Sequence, residues 1–168
     1  ALARTGAKVE LPGGQPGLAV ALGGVGITLQ DLVQAYAALA RLGQPVRLSV
    51  TGPGDPLPQP LMSPEAAWMT GDILSGIAPP ANAPRSGLAY KTGTSYGHRD
   101  AWAIGFDGQH VIGVWMGRAD GTPVPGQFGA DVAAPVLFGL PRTGDQPGLP
   151  GRQRPRQAVH HGRLDADG

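Results

Sequence analysis

The sequence contains no cysteine, only two lysines (Lys8 and Lys91) and a single asparagine (Asn82). Without thiols the chain forms no disulfide and no thiolate zinc site, which suits an oxidising compartment. Charged residues make up only 15% of the chain, and its net charge of +1 lacks the basic excess of a nucleic-acid-binding or anionic-membrane-binding protein. No apolar run is long enough to span a bilayer. We therefore expect neither nucleic acid nor a membrane surface as a partner of these residues.

Glycine and proline are by contrast abundant, with 28 and 18 residues among 168. Such a composition predicts short elements separated by many turns, in a chain long enough for one domain with a core. Residues 1–140 form the predicted domain. Residues 141–168 carry too few apolar side chains to offset their ordering entropy and are predicted to be a disordered tail. A metal site at His160-His161 with Asp165 and Asp167 is the weaker interpretation of that tail, and we expect no metal and no cofactor.

Two helices are predicted before residue 80. Thr28 is a hydroxyl N-cap for the first helix, which Gly43 and Pro45 end. Ser63-Pro64 opens the second helix, which Pro79-Pro80 ends. The apolar face of the first is predicted to contain Leu29, Leu32, Val33, Tyr36, Ala37, Leu39 and Ala40. The apolar face of the second is predicted to contain Trp68, Met69, Ile73, Leu74 and Ile77.

Three other stretches have weaker patterns. The apolar run 18–22 between glycines predicts a buried strand or loop, and residues 46–50 predict one short strand in a proline-rich connection. Residues 130–140 predict a closing helix that packs on the sheet through Val132, Val136, Leu137 and Phe138.

A three-stranded antiparallel meander is predicted from residue 88 onward. The strand 88–94 comes first, residues 101–106 alternate in polarity, and Asp107-Gly108 is a strong two-residue turn signal. Residues 111–116 are apolar at odd and at even positions alike, as expected of a strand whose two faces are both covered. The predicted fold class is mixed α/β (α+β), with this meander packed by helices.

The first strand of the meander ends in Lys91-Thr92-Gly93-Thr94. The lysine offers a fixed positive charge for a substrate carboxylate, and the glycine lets a ligand lie against the strand. A backbone N–H just beyond the glycine can face a developing oxyanion. These residue types in this order therefore suit a site that binds an anionic ligand at the end of a strand.

Lys91-Thr92-Gly93-Thr94 resembles the Lys-Thr-Gly box of the penicillin-binding proteins and serine β-lactamases, which is one of three motifs in their active site. The segment 21–40 is similar to the one that precedes this box in class A penicillin-binding proteins. The segments 96–102 and 115–126 resemble the 1C-like group of that class. The resemblance covers roughly residues 15–138, and it implies part of a serine β-lactamase/transpeptidase-like fold.

The resemblance also implies residue roles. Lys91 would hold the substrate carboxylate, and Gly93 would keep the strand edge clear. Thr92 and Thr94 would hydrogen-bond the substrate, with the Thr94 N–H completing an oxyanion hole. The two residues that follow, Ser95 and Tyr96, are predicted to contact the substrate.

The implied reaction is D,D-transpeptidation, in which a serine attacks a D-Ala-D-Ala stem peptide and the acyl group passes to an amine. The implied ligands are peptidoglycan stem peptides and β-lactams. The implied location is the periplasmic face of the bacterial inner membrane, with the anchor outside these residues.

The two partner motifs of that family are absent from this sequence. Neither lysine has a serine three residues before it, and Asn82 has Pro80 rather than serine two residues before it. Since the sequence also begins at Ala1, we expect a processed, trimmed or fragmentary product. The expected product is the C-terminal portion of a transpeptidase domain, without the N-terminal half and inactive alone.

Two rival interpretations remain. Residues 93–97 match the Gly-x-Ser-x-Gly nucleophile elbow of α/β-hydrolases, with Ser95 as nucleophile and Asp107 or Asp120 and His160 as nominal partners. That motif needs a strand, a sharp turn and then a helix. The other rival is a cell-wall-binding or interaction module with no chemistry of its own.

Overall fold

The computed structural model describes residues 1–83 and 87–140. The helices are α1 (Leu29–Ala40), α2 (Pro64–Ser75) and α3 (Ala134–Gly139), and a π-helical turn, Gly129–Ala133, leads into α3. The strands are β1 (Val9–Glu10), β2 (Gly26–Ile27), β3 (Val46–Arg47), β4 (Asp55–Pro56), β5 (Ala89–Thr94), β6 (Asp100–Phe106) and β7 (Val111–Gly117). The predicted tail 141–168, with its histidine and aspartate group, lies outside the described residues.

The predicted start signals of the first two helices are confirmed. The Thr28 hydroxyl accepts a hydrogen bond from the Asp31 N–H at 3.1 Å, and the Ser63 hydroxyl accepts one from the Ala66 N–H at 3.3 Å. Each cap satisfies one N–H at a helix end that has no partner within its own helix. α1 ends before Gly43, whose φ of +87° and close approach to the Met62 carbonyl exclude a side chain.

The three-stranded antiparallel meander is also confirmed, in the order β5-β6-β7. β5 pairs with β6 so that Gly93 lies opposite Trp102, and β6 pairs with β7 so that Trp102 lies opposite Trp115. The short strands form two separate pairs, β1 with β2 and β3 with β4. Because the strand order is sequential, β5 is an outer strand of this sheet.

Helices cover both faces of the sheet. On one face, Leu39 of α1 and Ala67 of α2 pack with Ala89 and Phe106. The opposite face holds a cluster that combines α3 with all three strands and consists of Leu88, Tyr90, Ala103, Val114, Ala133, Ala134, Leu137 and Phe138. The mixed α/β class is thus confirmed, with a core divided by the sheet.

Three predicted segments differ from the structure. Residues 18–22 form a 3₁₀ turn rather than a buried strand or loop, and Leu18 and Leu22 are 94% and 92% exposed. The strand predicted for 46–50 is only the two residues of β3, because it pairs with an equally short β4. The predicted closing helix instead begins with the π-helical turn, and Val136 lies on its exposed side.

The apolar face predicted for the second helix is also wrong in part. Met69 and Ile73 are 58% and 69% exposed, whereas Ala67 and Gly71 are the buried residues of α2. Small side chains face the sheet because they let the helix approach it closely. Met69 and Ile73 are left on the outer side, whereas Leu74 is partly buried and packs against the cluster that contains Ala67.

Leu137 provides a test of the cluster under α3. We expect Leu137→Ala to lower the free energy of unfolding by about 2–5 kcal/mol, because it opens a cavity in a closed cluster. The neighbouring Val136 is 40% exposed, so Val136→Ala should cost less than about 1 kcal/mol. Urea unfolding of both variants measures the difference. Equal losses of unfolding free energy in the two variants would contradict the assignment of Leu137 to the covered side of α3 and Val136 to its exposed side.

Candidate functional site

The Lys91–Thr94 motif occupies the last four residues of β5, at the outer edge of the sheet. Lys91 is in register with Ile104, and Thr94 is in register with Ala101. Lys91 and Gly93 therefore lie on the sheet face that α1 and α2 cover, while Thr92 and Thr94 lie on the α3 face. Pairing with β6 holds the backbone of the whole motif in an extended conformation.

The hydrogen-bond pattern decides which backbone groups of β5 remain available. The Ser95 N–H donates to the Asp100 carbonyl at 2.9 Å, so Ser95 and Asp100 are a hydrogen-bonded pair. In an antiparallel ladder alternate residues direct their N–H and C=O toward the partner strand. Gly93 consequently faces β6, and the N–H of Thr92 and of Thr94 point away from β6 to the outer edge. The N–H just beyond the glycine is thus directed where a ligand can lie.

The Lys91 side chain reaches the same edge. Lys91 is exposed, and its ammonium donates a hydrogen bond to the Thr92 carbonyl, which also points away from β6. Within the described ranges no carboxylate forms an ion pair with Lys91. The ammonium is therefore a cation whose charge is available to an anionic ligand at the edge of β5.

Gly93 is not required by the packing of the sheet. A Cβ added there would lie 3.7 Å from the Cβ and 3.9 Å from the Cδ1 of Trp102, which are ordinary van der Waals distances. Gly93 is also absent from the residues with a positive φ. Since neither space nor conformation demands glycine, its effect is to leave the strand surface bare.

The hydroxyl of Thr94 has a protein partner on the α3 face. Its Oγ1 accepts a hydrogen bond from the Gly129 N–H at 3.0 Å. This bond connects the end of the motif to the π-helical turn. The O–H of Thr94 remains a donor, because accepting one hydrogen bond leaves its proton in place.

Ser95 and Tyr96 begin the loop between β5 and β6. The Ser95 hydroxyl accepts a hydrogen bond from the Asp100 N–H at 2.8 Å, which closes the loop. Tyr96 is fully exposed at the tip. Of these two residues, Ser95 has a clear role in the loop, and only Tyr96 presents its whole side chain to solvent.

The chain was compared with known proteins. No protein-family model matches it. It is 49% identical over 142 residues to penicillin-binding protein 1C of Escherichia coli, and 32% identical over 120 residues to penicillin-binding protein 1B of Vibrio cholerae. It is 30% identical over 128 residues to penicillin-binding protein 1A of Aquifex aeolicus.

The homologues of this chain are penicillin-binding proteins. These three matches cover 81%, 61% and 67% of the chain, which agrees with the resemblance to the class A group. The chain spans less than a fifth of each relative, namely 18%, 15% and 18% of their lengths. The region that matches is therefore a small part of each relative.

The geometry of the α/β-hydrolase elbow is not present at Ser95. That elbow places a helix directly after the nucleophile, whereas here β6 follows the loop. Asp107 follows the far end of β6, about 23 Å from Ser95 at about 3.3 Å per strand residue. It accepts hydrogen bonds from the N–H of Gln109 and of His110. His160 lies outside the described residues. The loop thus differs from a hydrolase elbow.

Sequence reasoning missed several residues around the motif. Trp115 donates from its Nε1 to the Asp100 carboxylate at 2.9 Å, and its ring lies 6.3 Å from that of Trp102 across the strands. Strand alternation could have placed both tryptophans on the face of Lys91, had the register been known. Gly129 had no signal of its own, because nothing in a lone glycine indicates which backbone it will approach.

Neither a metal site nor a membrane span emerges from residues 1–83 and 87–140. They contain no group of three or more histidine and carboxylate side chains arranged to hold a metal ion. None of their helices is long and apolar enough to cross a membrane.

If the fold does not require glycine at position 93, a substitution at Gly93 should cost less stability than one at Gly113. Gly93→Ala should change the free energy of unfolding by less than about 1 kcal/mol. Gly113→Ala should cost about 1–3 kcal/mol, because its Cβ would lie 2.6 Å from Val33 Cγ2 and 2.8 Å from Leu29 Cδ1. Urea unfolding of the two variants tests this contrast. A loss at Gly93 as large as that at Gly113 would mean that the fold itself requires glycine there.

Proposed function

We propose that this chain supplies the carboxylate-binding and oxyanion-binding part of a peptidoglycan D,D-transpeptidase site. One observation carries the proposal: the Lys91 ammonium and the Thr94 N–H lie at the same open edge of β5. A substrate peptide lying along that edge could place its terminal carboxylate at the cation and its scissile carbonyl at the N–H. The names of the homologues support a site of the kind that reacts with penicillin.

Each residue of the motif has a distinct role in this proposal. Lys91 binds the carboxylate of a D-alanyl-D-alanine stem peptide or of a β-lactam, and its charge favours proton transfer away from the nucleophile. The Thr94 N–H stabilises the negative charge that develops on the attacked carbonyl oxygen. Thr92 and the Thr94 O–H donate to the substrate, and Gly93 leaves room for it.

The nucleophile has to come from outside this sequence. No Ser-x-x-Lys and no Ser-x-Asn occurs in it, and the Ser95 hydroxyl closes the β5–β6 loop. We propose that residues 1–140 are the C-terminal portion of a transpeptidase domain at the periplasmic face of the inner membrane. On its own the chain would bind substrate weakly and form no acyl-enzyme.

Exposing the purified chain to a labelled penicillin tests the missing nucleophile. We expect no covalent adduct by mass spectrometry after denaturation, because the acylated serine belongs to a segment outside the chain. A stoichiometric adduct would refute this part of the proposal. Ser95→Ala would then show whether Ser95 had reacted.

The role of Lys91 requires a protein that contains the nucleophile. We would replace the matching segment of Escherichia coli penicillin-binding protein 1C with this chain and measure the rate of adduct formation with labelled penicillin. Lys91→Ala should lower that rate by about 100-fold or more, since it removes a charge contact at the reacting group.

Lys8 provides the matched control, because it is the other lysine of the chain and is exposed. Lys8→Ala should leave the rate within about twofold of the unmutated chimera. A Lys91→Ala chimera that reacts as fast as the Lys8→Ala chimera would exclude the proposed function.

A further inference from the structure

Residues 124–129, here called the 124–129 segment, lie against the end of β5 and the loop that follows it. The Val124 N–H donates to the His98 carbonyl at 2.9 Å, and His98 Nδ1 lies 3.2 Å from the Gln127 carbonyl oxygen. Since a carbonyl oxygen only accepts, Nδ1 is the donor in that contact. Two hydrogen bonds therefore connect the β5–β6 loop to this segment through one residue.

His98 adopts a conformation that its surroundings must maintain. Its φ is +56°, in the left-handed region that non-glycine residues occupy only at a cost. Its ring packs edge-on against Phe128, with centroids 4.7 Å apart at 86°. The loop after the motif is thus held in one shape by the 124–129 segment.

The closest approach is at Gly129, the last residue of the segment. A Cβ added to Gly129 would lie 2.3 Å from the Gly93 carbonyl oxygen and 2.5 Å from that of Trp102. Both neighbours are backbone atoms of the β5–β6 ladder, so neither can rotate away. The φ of Gly129 is not positive, and lack of space alone excludes a side chain there.

These contacts meet at Gly93 and Thr94, whose shared peptide unit carries a group that the proposed function needs. The Gly129 N–H donates to Thr94 Oγ1, and a Cβ on Gly129 would overlap the carbonyl oxygen of Gly93. The peptide unit between Gly93 and Thr94 carries the N–H that is the proposed oxyanion donor. A displacement of Gly129 would tilt that peptide unit.

We propose that Gly129 is a positioning residue, which sets the direction of the Thr94 N–H by packing its bare backbone on the Gly93–Trp102 pair. The π-helical turn that begins at Gly129 provides this close approach, and such turns are frequent at functional sites. The inference rests on the proposed function for its catalytic consequence. The packing itself can be measured independently in this chain.

The first experiment uses the complete 168-residue chain and follows amide hydrogen exchange by NMR. In Gly129→Ala the Ser95 N–H, which donates to Asp100, should exchange at least about tenfold faster than in the unmutated chain. The Asp107 N–H, which donates to His110 at the other end of β6, should be unchanged. Gly139→Ala is the matched control, because a Cβ there meets nothing within 4 Å. Unchanged exchange at Ser95 in Gly129→Ala would overturn the inference.

The second experiment measures the rate of penicillin adduct formation in the chimera described above. Gly129→Ala should lower that rate by about tenfold or more, because a shift of about 1 Å in a reacting group can cost about 100-fold. Leu137→Ala, measured well below its unfolding midpoint, should react at the unmutated rate. That control separates loss of stability from misplacement of the Thr94 N–H.

The outcomes distinguish the inference from the proposed function. If Lys91→Ala slows the reaction and Gly129→Ala does not, the proposed function stands and the positioning role is overturned. If Lys91→Ala has no effect, both the proposed function and the catalytic consequence of Gly129 are overturned.

A milder variant covers the case in which Gly129→Ala does not fold. Phe128→Leu removes the ring contact with His98, and Phe128 is already 47% exposed. It should speed Ser95 exchange and slow the chimera in the same direction, by roughly two- to fivefold. No change in either quantity would overturn the inference.

Discussion

The register of β5 on β6 is the constraint on which the rest of this site depends. Because the Ser95 N–H pairs with the Asp100 carbonyl, Lys91 and Gly93 share one face and Thr94 directs its N–H to the open edge. If the pairing slipped by one residue, each side chain of β5 would move to the opposite face of the sheet. The N–H groups that now point outward would then point toward β6. The loop makes such a slip costly, because the Ser95 hydroxyl accepts from the Asp100 N–H and holds the two strand ends at a fixed offset.

Close approach by small residues turns the sheet into a rigid support. Ala101 and Ala103 of β6 are fully buried, and Ala133 and Ala134 meet the same sheet from the α3 side. The π-helical turn and α3 can therefore come near this face, while α1 and α2 cover the other face. The backbone of β5 is held between these two layers while its outer edge stays open. Hydrogen-bond donors fixed in this way need no rearrangement when charge develops on a ligand, and this is the condition under which they are most effective.

Local signals in the sequence were sufficient to predict those structural features that depend only on neighbouring residues. The hydroxyl caps Thr28 and Ser63 each act through neighbours within three residues, and the structure has them as predicted. The chain also reverses at Asp107-Gly108, but four residues, 107–110, connect β6 to β7 instead of the predicted two. The resemblance of the Lys91–Thr94 motif to a family box was enough to indicate the family of the homologues.

Features that depend on distant parts of the chain could not be predicted in the same way. The apolar pattern of α2 indicated Met69 and Ile73 as its core side, yet the structure buries Ala67 and Gly71. Which side of a helix faces inward depends on the distance between the helix and the sheet. The hydrophobic pattern alone does not give that distance. The same limit applies to Gly129, whose importance comes from Gly93, 36 positions earlier in the chain.

The chemistry of the site follows from what this part of the chain offers at the edge of β5. Lys91 offers a cation with no carboxylate partner in the described part of the chain, and Thr94 offers an N–H directed outward. Both groups stabilise negative charge, and neither attacks a carbonyl. Ser95, the nearest hydroxyl beyond the motif, uses its oxygen as an acceptor to close the loop. In the proposed function, these residues therefore bind and stabilise the anionic groups of the substrate. The attacking oxygen comes from another segment, which packs against this edge.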